Sequence, residues 1–152
     1  MRVVLGTIML LAAGCQSMPA APSLSPERVV EQFMWDYTKA WNRHDSATIA
    51  RDFYRTGPGV EEQTASLERG FENLRAQGYH HSDIFEVIGC MTGADEAWAG
   101  MKFSRLKENG EPLPPQVRAS SYTLKKFADG WRITQVGAGG VSADEPLACP
   151  AS

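Results

Sequence analysis

Apolar residues between positions 26 and 43 recur every three or four residues, which is the spacing of an amphipathic helix. Ser25 offers a hydroxyl at the N-cap, and Pro26 suits the first helical position because no backbone donor is needed there. We therefore predict a helix from Pro26 to about Arg43. Its apolar stripe consists of Val30, Phe33, Met34, Tyr37, Ala40 and Trp41.

Two further helices are predicted before any strand. Asp45 can cap a short helix, which the TGPG segment at 56–59 ends. The third helix begins near Glu61 or Glu62, where acidic side chains suit the helix dipole, and it stops at Gly78. The apolar positions of these two helices are Ile49, Ala50, Phe53, Leu67, Phe71 and Leu74.

The pattern changes to strands after Gly78. Asn109-Gly110 and Asp129-Gly130 are turn signals, and the second dipeptide is typical of a tight hairpin. Helices followed by a run of antiparallel strands predict an α+β fold, with three N-terminal helices packed on a four-stranded antiparallel sheet. The predicted strands are 82–91, 96–107, 116–127 and 131–136.

Composition limits the size and the partners of this protein. A chain of 152 residues with 43% hydrophobic and 22% charged residues is typical of one globular domain. The chain has a net charge of −3 and no basic run, so it lacks the electrostatic signature of a nucleic-acid binder. We therefore expect no nucleic-acid partner.

The N-terminus predicts a signal peptide over residues 1–14. Arg2 precedes an apolar stretch from Val3 to Ala13, which is too short to cross a bilayer as a helix. The AAGC segment at 12–15 resembles the lipobox of bacterial lipoproteins, which implies lipidation of Cys15 and a membrane anchor. Gln16 then favours the outer membrane, facing the periplasm, by resemblance to enterobacterial lipoproteins. The alternative is an ordinary secretory signal with an incidental cysteine.

Residues 15–25 are interpreted as the lipidated cysteine and a tether rich in Pro, Ala and Ser. Cys90 and Cys149 remain in the mature chain, and an envelope protein meets oxidising conditions in which two thiols can pair. We hypothesise a Cys90–Cys149 disulfide that fastens the C-terminal tail, residues 138–152. Two independent free thiols are the alternative.

Two segments resemble the nuclear transport factor 2-like superfamily, which includes ketosteroid isomerases and SnoaL-like polyketide cyclases. They are the end of the first helix, WNRHD at 41–45 with Ile49-Ala50 and Phe53, and the closing hairpin YTLKKFADGWRI at 122–133. The resemblance covers about residues 26–137. It implies a cone-shaped domain whose curved sheet folds over the first helix. Such a cone often encloses an apolar cavity with a few polar groups, which is the default ligand site.

The same resemblance supplies two weak catalytic candidates. Tyr37 lies eight residues before Asp45, as the oxyanion-binding tyrosine of ketosteroid isomerases does, and an ungapped alignment puts Glu61 at the general base. The second acidic donor of those enzymes falls near Thr123, which cannot act as a protonated carboxylic acid. The alternatives are a packed tyrosine and a solvated glutamate at a helix start.

Six residues are candidates for lining the cavity, although aromatic residues at regular spacing more often form core. An arginine on a strand can bind a carboxylate bidentately, but it is more often exposed. The candidates are Tyr37, Trp41, Phe53, Trp98, Arg118 and Tyr122.

No metal site or cofactor is predicted. His80 and His81 are the most suggestive ligands, but neighbouring residues on a strand point to opposite faces. No third ligand stands at a familiar spacing.

We therefore expect an envelope lipoprotein whose domain binds a small, partly apolar or amphipathic molecule, or a protein partner, without catalysis. The alternative is an isomerase, cyclase or dehydratase that uses a pocket tyrosine and a carboxylate. Whether the chain is an enzyme stays open, with the non-catalytic interpretation favoured. A homodimer formed through the sheet is a further possibility.

Overall fold

A computed structural model describes residues 23–137 and 139–151. The predicted signal peptide (1–14), the lipidation site Cys15 and the tether up to residue 22 lie outside the described residues. Within the described ranges, no helix has both the length and the apolar character needed to cross a membrane.

The long N-terminal helix, α1, spans Pro26–Asn42. The Ser25 hydroxyl accepts a hydrogen bond from the Arg28 backbone N–H at 3.4 Å, and Pro26 occupies the first turn, as the sequence predicts. The buried side of α1 is the predicted apolar stripe, with Val30 and Met34 fully enclosed. The spacing of the apolar residues therefore predicted both the helix and the side that it buries.

Two more helices follow, in agreement with the prediction. Helix α2, Ser46–Thr48, is capped by the Asp45 carboxylate and continues into a π-helical turn at Ile49–Phe53. Helix α3 spans Val60–Ala76 and buries Leu67 and Phe71.

Four strands form one antiparallel sheet in the order β1-β2-β3-β4. The register shifts between Ile84 and Glu86 and again between Thr123 and Leu124, and such bulges bend a sheet. The predicted α+β class, three helices on a curved four-stranded sheet, is confirmed. The strands are β1, His81–Met91; β2, Glu96–Leu106; β3, Arg118–Phe127; and β4, Gly130–Val136.

The concave face of the sheet holds the core. Alternate residues of the strands face the helices, and together with the buried side of α1 they form one cluster. The buried sheet residues in this cluster are Ala97, Ala99, Met101, Tyr122, Leu124, Trp131 and Ile133.

The C-terminal tail lies against the opposite, outer face of the sheet. A disulfide joins Cys149 to Cys90, which is the pairing raised from the sequence. Trp98 lies opposite Cys90 in the β1–β2 register and is buried. Leu147 of the tail reaches to 3.3 Å from the point where a Cβ on Gly100 would stand. The tail thus covers the part of the outer face around Trp98 and Gly100.

Helix α1 lies very close to β1 at Gly89. A Cβ at this position would lie 2.8 Å from the Glu27 carbonyl oxygen and 3.0 Å from Val30 Cγ1. A backbone oxygen cannot rotate away as a side chain can, so any larger residue would push α1 off the sheet. Gly89 is therefore required by packing.

We predict that Gly89→Ala lowers the free energy of unfolding by about 1–3 kcal/mol, because overpacking forces backbone shifts. Gly70→Ala is the matched control, since Gly70 lies exposed within α3 and a Cβ there meets nothing within 4 Å. That change should stabilise the protein by roughly 0.5–1 kcal/mol through helix propensity. Chemical denaturation of both variants checks the sign of each effect; a neutral Gly89→Ala would contradict the close contact.

Candidate ligand-binding site

A cavity of about 120 Å³ lies between the C-terminal half of α1 and the concave face of the sheet, and it is partly open to solvent. Helix α1, the segment after the π-helical turn and all four strands contribute to its wall. The lining residues are Tyr37, Thr38, Trp41, Asn42, Tyr54, Ser82, Ile84, Met101, Phe103, Arg105, Ser120, Tyr122 and Val136.

Three tyrosines meet in this cavity. The hydroxyl oxygens of Tyr37 and Tyr54 are 2.9 Å apart and share a hydrogen bond, and the ring of Tyr122 packs edge-on against Tyr37. Burial raises the pKa of all three hydroxyls, and for Tyr37 the neighbouring Tyr54 and Tyr122 raise it further. The tyrosines are therefore protonated at neutral pH. One hydroxyl of the Tyr37–Tyr54 pair donates to the other, which leaves one hydrogen of the pair for a ligand.

A second polar group fastens α1 to the start of the sheet. The Asn42 amide donates to the Ser82 carbonyl at 2.8 Å and accepts from the Ser82 N–H at 2.9 Å. The Trp41 indole donates to the Tyr79 hydroxyl at 3.0 Å, and this hydroxyl also bonds to Ser82 Oγ at 3.0 Å. These pairings satisfy the polar groups of Trp41, Asn42 and Ser82 and hold α1 against the start of β1.

The charge in the cavity is positive. Arg105 is the charged member of the lining, and no aspartate or glutamate lines the cavity in the described ranges. Its guanidinium carbon lies 6.0 Å from the centre of the Tyr79 ring.

Three of the six predicted pocket residues line the cavity: Tyr37, Trp41 and Tyr122. Phe53 does not reach it and instead packs on the Tyr37 ring, with centroids 5.8 Å apart. Arg118 shares the concave face, because it pairs with Phe103 in the register, but it lies beyond the lining residues. Its guanidinium donates to the Pro114 carbonyl oxygen.

The expectation for Trp98 was wrong. Residues 97 and 99 face the core, so the alternation of the strand turns Trp98 to the outer face, under the tail. Thr123, at the place of the second isomerase acid, pairs with Trp98 and shares that outer face. The sequence shows the alternation of a strand but not which of its faces the helices cover.

The two catalytic candidates are not brought together around the cavity. Glu61 is exposed in the first turn of α3 and does not line the cavity, whereas Tyr37 is buried in its wall. The ungapped alignment fails here because it crosses the short loop before α3.

The argument that His80 and His81 point to opposite faces was also wrong. Their Nδ1 atoms are 3.0 Å apart, because His80 precedes β1 and does not follow the strand alternation. Across the residues with described positions, no group of three or more His, Cys, Asp or Glu side chains could hold a metal ion.

Sequence reasoning missed Tyr54 and Arg105. Tyr54 stands alone between the π-helical turn and α3, and a single bridge to Ile133 holds it beside β4. Arg105 lies next to the last residue of β2, an ordinary alternating strand. Neither residue belongs to a motif, and only the side-chain alternation of β2 could have placed Arg105 on the face of Met101 and Phe103.

His44 follows the C-terminal end of α1 and packs on two aromatic rings. Its ring stacks on Phe71 and on Tyr79, with centroids 4.6 Å and 5.5 Å away, and its Nδ1 lies 3.5 Å from Arg75 Nη1. Burial lowers the pKa of His44 below its usual value, and the charge of Arg75 lowers it further. Folding therefore favours the neutral form of His44.

We predict that His44 makes the folded state less stable in acid. Since the folded state binds a proton less readily than the unfolded one, the free energy of unfolding falls as the pH drops through about 6.5. His44→Asn should remove this part of the slope between about pH 5 and pH 8. Asparagine tolerates the left-handed backbone at this position, where φ is 53°. Equal slopes in the two proteins, from denaturation at several pH values, would refute the assignment.

Known structures place the fold. An NTF2-like protein with a cystatin-like fold from Novosphingobium aromaticivorans shares 15% identity, with a TM-score of 0.56 over 72% of this chain and 79% of that chain. The Aln2 protein of a Streptomyces species shares 16%, with a TM-score of 0.55 over 74% and 90%. A ketosteroid isomerase-like protein from Erwinia carotovora atroseptica shares 21%, with a TM-score of 0.51 over 72% and 91%. Such identities establish the fold alone.

No curated protein shows significant similarity to this chain. A family model described as NTF2-like protein (DUF6841) matches residues 26–139, which is the whole helix-and-sheet domain. The chain therefore belongs to this family of NTF2-like proteins.

Proposed function

We propose that this domain holds a small, partly apolar molecule in the cavity between α1 and the sheet, without catalysing a reaction. The observation that carries the proposal is the lining itself. Aromatic and aliphatic side chains form most of the wall, and the hydroxyls of Tyr37, Tyr54 and Tyr122 offer a few fixed polar contacts. This mixture of apolar wall and convergent polar groups is typical of small-molecule sites.

The size of the cavity limits the ligand. An engineered apolar cavity of about 150 Å³ is known to take up benzene. The cavity here has about 120 Å³ and opens to solvent on one side, so it suits a single ring or a short chain. A ligand of this kind can bury its apolar part and leave a polar end at the mouth.

The charges favour binding over proton transfer. Isomerases of the ketosteroid type need a carboxylate base near the reacting carbon. In the described part of the chain the cavity has no carboxylate, and Glu61 lies exposed at the start of α3. The tyrosine hydroxyls that do not donate to another tyrosine are then hydrogen-bond donors to a bound molecule.

We also propose that the domain works in a bacterial envelope, anchored to the outer membrane through Cys15. The apolar stretch from Val3 to Ala13 and the AAGC segment support this location. The Cys90–Cys149 disulfide supports it independently, because structural disulfides persist in oxidising compartments. A homodimer through the sheet would have to use the part of the outer face that the tail leaves free.

Ser120→Leu tests the cavity, because Ser120 lines it and a larger apolar side chain would fill it. Native mass spectrometry of the full chain should detect a discrete bound mass that disappears on denaturation, and Ser120→Leu should lose it. Lys125→Leu is the control, since Lys125 is exposed on the other face of the same strand.

Thermal unfolding of the two variants shows whether both remain folded. An apo mass for the wild type, or a bound mass that survives in folded Ser120→Leu, would argue against a ligand in this cavity.

Cysteine chemistry tests the envelope proposal. A mature lipoprotein carries Cys15 as a thioether and Cys90 bonded to Cys149, so the denatured, unreduced protein should show no free thiol. Cys15→Ser should abolish membrane association while the disulfide stays. A free thiol at Cys15 in membrane-fractionated wild type would contradict lipidation, and two further thiols would contradict the disulfide.

A further inference from the structure

Two arginines stand on the concave face, one in the cavity wall and one just beyond it. Arg105 lines the cavity near the end of β2, and Arg118 begins β3. Because Arg118 pairs with Phe103, Arg105 is its diagonal neighbour on the same face of the sheet. Diagonal neighbours across an antiparallel pair lie about 7–8 Å apart, which is within reach of two long side chains.

Both guanidinium groups keep hydrogen-bonding capacity that the described residues do not use. The Nε atoms of Arg105 and Arg118 are buried and have no partner among those residues. Nor does either arginine have a carboxylate within 4.0 Å there. A buried donor without a partner costs free energy, more so when its group is charged.

Arg132 shows the contrast. Its Nε atom is likewise buried without a partner, but its Nη2 lies 2.9 Å from the Asp129 carboxylate, which balances its charge. For Arg118, by contrast, burial and the nearby charge of Arg105 lower the pKa. An arginine nevertheless stays protonated at neutral pH, so two unbalanced positive charges stand beside an apolar cavity.

We propose that Arg105 and Arg118 form an oxyanion site and that the ligand is a small apolar carboxylic acid. Its apolar part lies among the aromatic side chains, and its carboxylate lies between the two guanidinium groups. The planar, forked guanidinium matches a carboxylate in shape and charge. This inference rests on the proposed binding function and adds the chemical class of the ligand.

The test compares two probes with the same apolar part, phenylpropionate and phenylpropanol, titrated calorimetrically into the full chain. Hydrogen bonds to charged groups contribute about 1.5–3 kcal/mol, so the wild type should bind the acid at least about tenfold more tightly than the alcohol. This comparison needs no variant and is therefore independent of any folding defect.

The variants Arg105→Gln and Arg118→Gln test whether these two residues cause the preference for the acid over the alcohol. Each should weaken phenylpropionate by about tenfold or more and leave phenylpropanol within about twofold, because the apolar wall is unchanged. Arg51→Gln is the matched control: Arg51 is exposed, pairs with Asp52 at 2.8 Å and does not line the cavity. It should change neither affinity.

The outcomes separate the two proposals. Equal binding of the acid and the alcohol would overturn the oxyanion site and leave an apolar binding cavity. So would an equal loss of phenylpropionate affinity in Arg51→Gln, Arg105→Gln and Arg118→Gln. Failure of both probes, together with an apo mass for the native protein, would overturn the binding function as well.

Discussion

The contact between α1 and β1 at Gly89 determines the shape of this domain. There the helix backbone lies so close to the strand that even a methyl group has no room. At its other end, α1 is held by the paired hydrogen bonds between Asn42 and Ser82. The cavity opens next to this second attachment, where Tyr37 and Trp41 separate the helix from the sheet. A tight contact at one end and large aromatic side chains at the other produce a cone.

The two faces of the sheet differ in their surroundings, because successive side chains of a strand point to opposite faces. The inner face carries the core and, towards one end, the cavity; the outer face carries Trp98 and Gly100 under the disulfide-bonded tail. The tail thereby covers apolar surface that would otherwise be exposed at the centre of the sheet. The cavity on the inner face and the covered surface on the outer face therefore use alternate residues of the same strands.

The spacing of apolar residues predicted the helices and strands. It did not predict which side chains reach the cavity, because that depends on contacts between elements. The spacing of the apolar stripe located α1 within one residue at its end and also placed Tyr37 and Trp41 towards the sheet. The same kind of pattern could not say which face of β2 is covered, so Trp98 was assigned to the wrong side. Arg105 was missed for a related reason, because only the fold shows that the inner face of β2 brings it to the cavity.

The charged groups of this cavity differ from those that an isomerase of the same fold needs for proton transfer. An enolising site has to hold a carboxylate base close to the reacting carbon and stabilise a developing oxyanion nearby. The described residues of this cavity offer the second element, through buried tyrosine hydroxyls and Arg105, but no carboxylate as the first. Hydrogen-bond donors and a cation can stabilise a ligand that is already an anion. Without a base they cannot form that anion by removing a proton. This is the physical reason for proposing that the fold here holds an acid and does not abstract a proton.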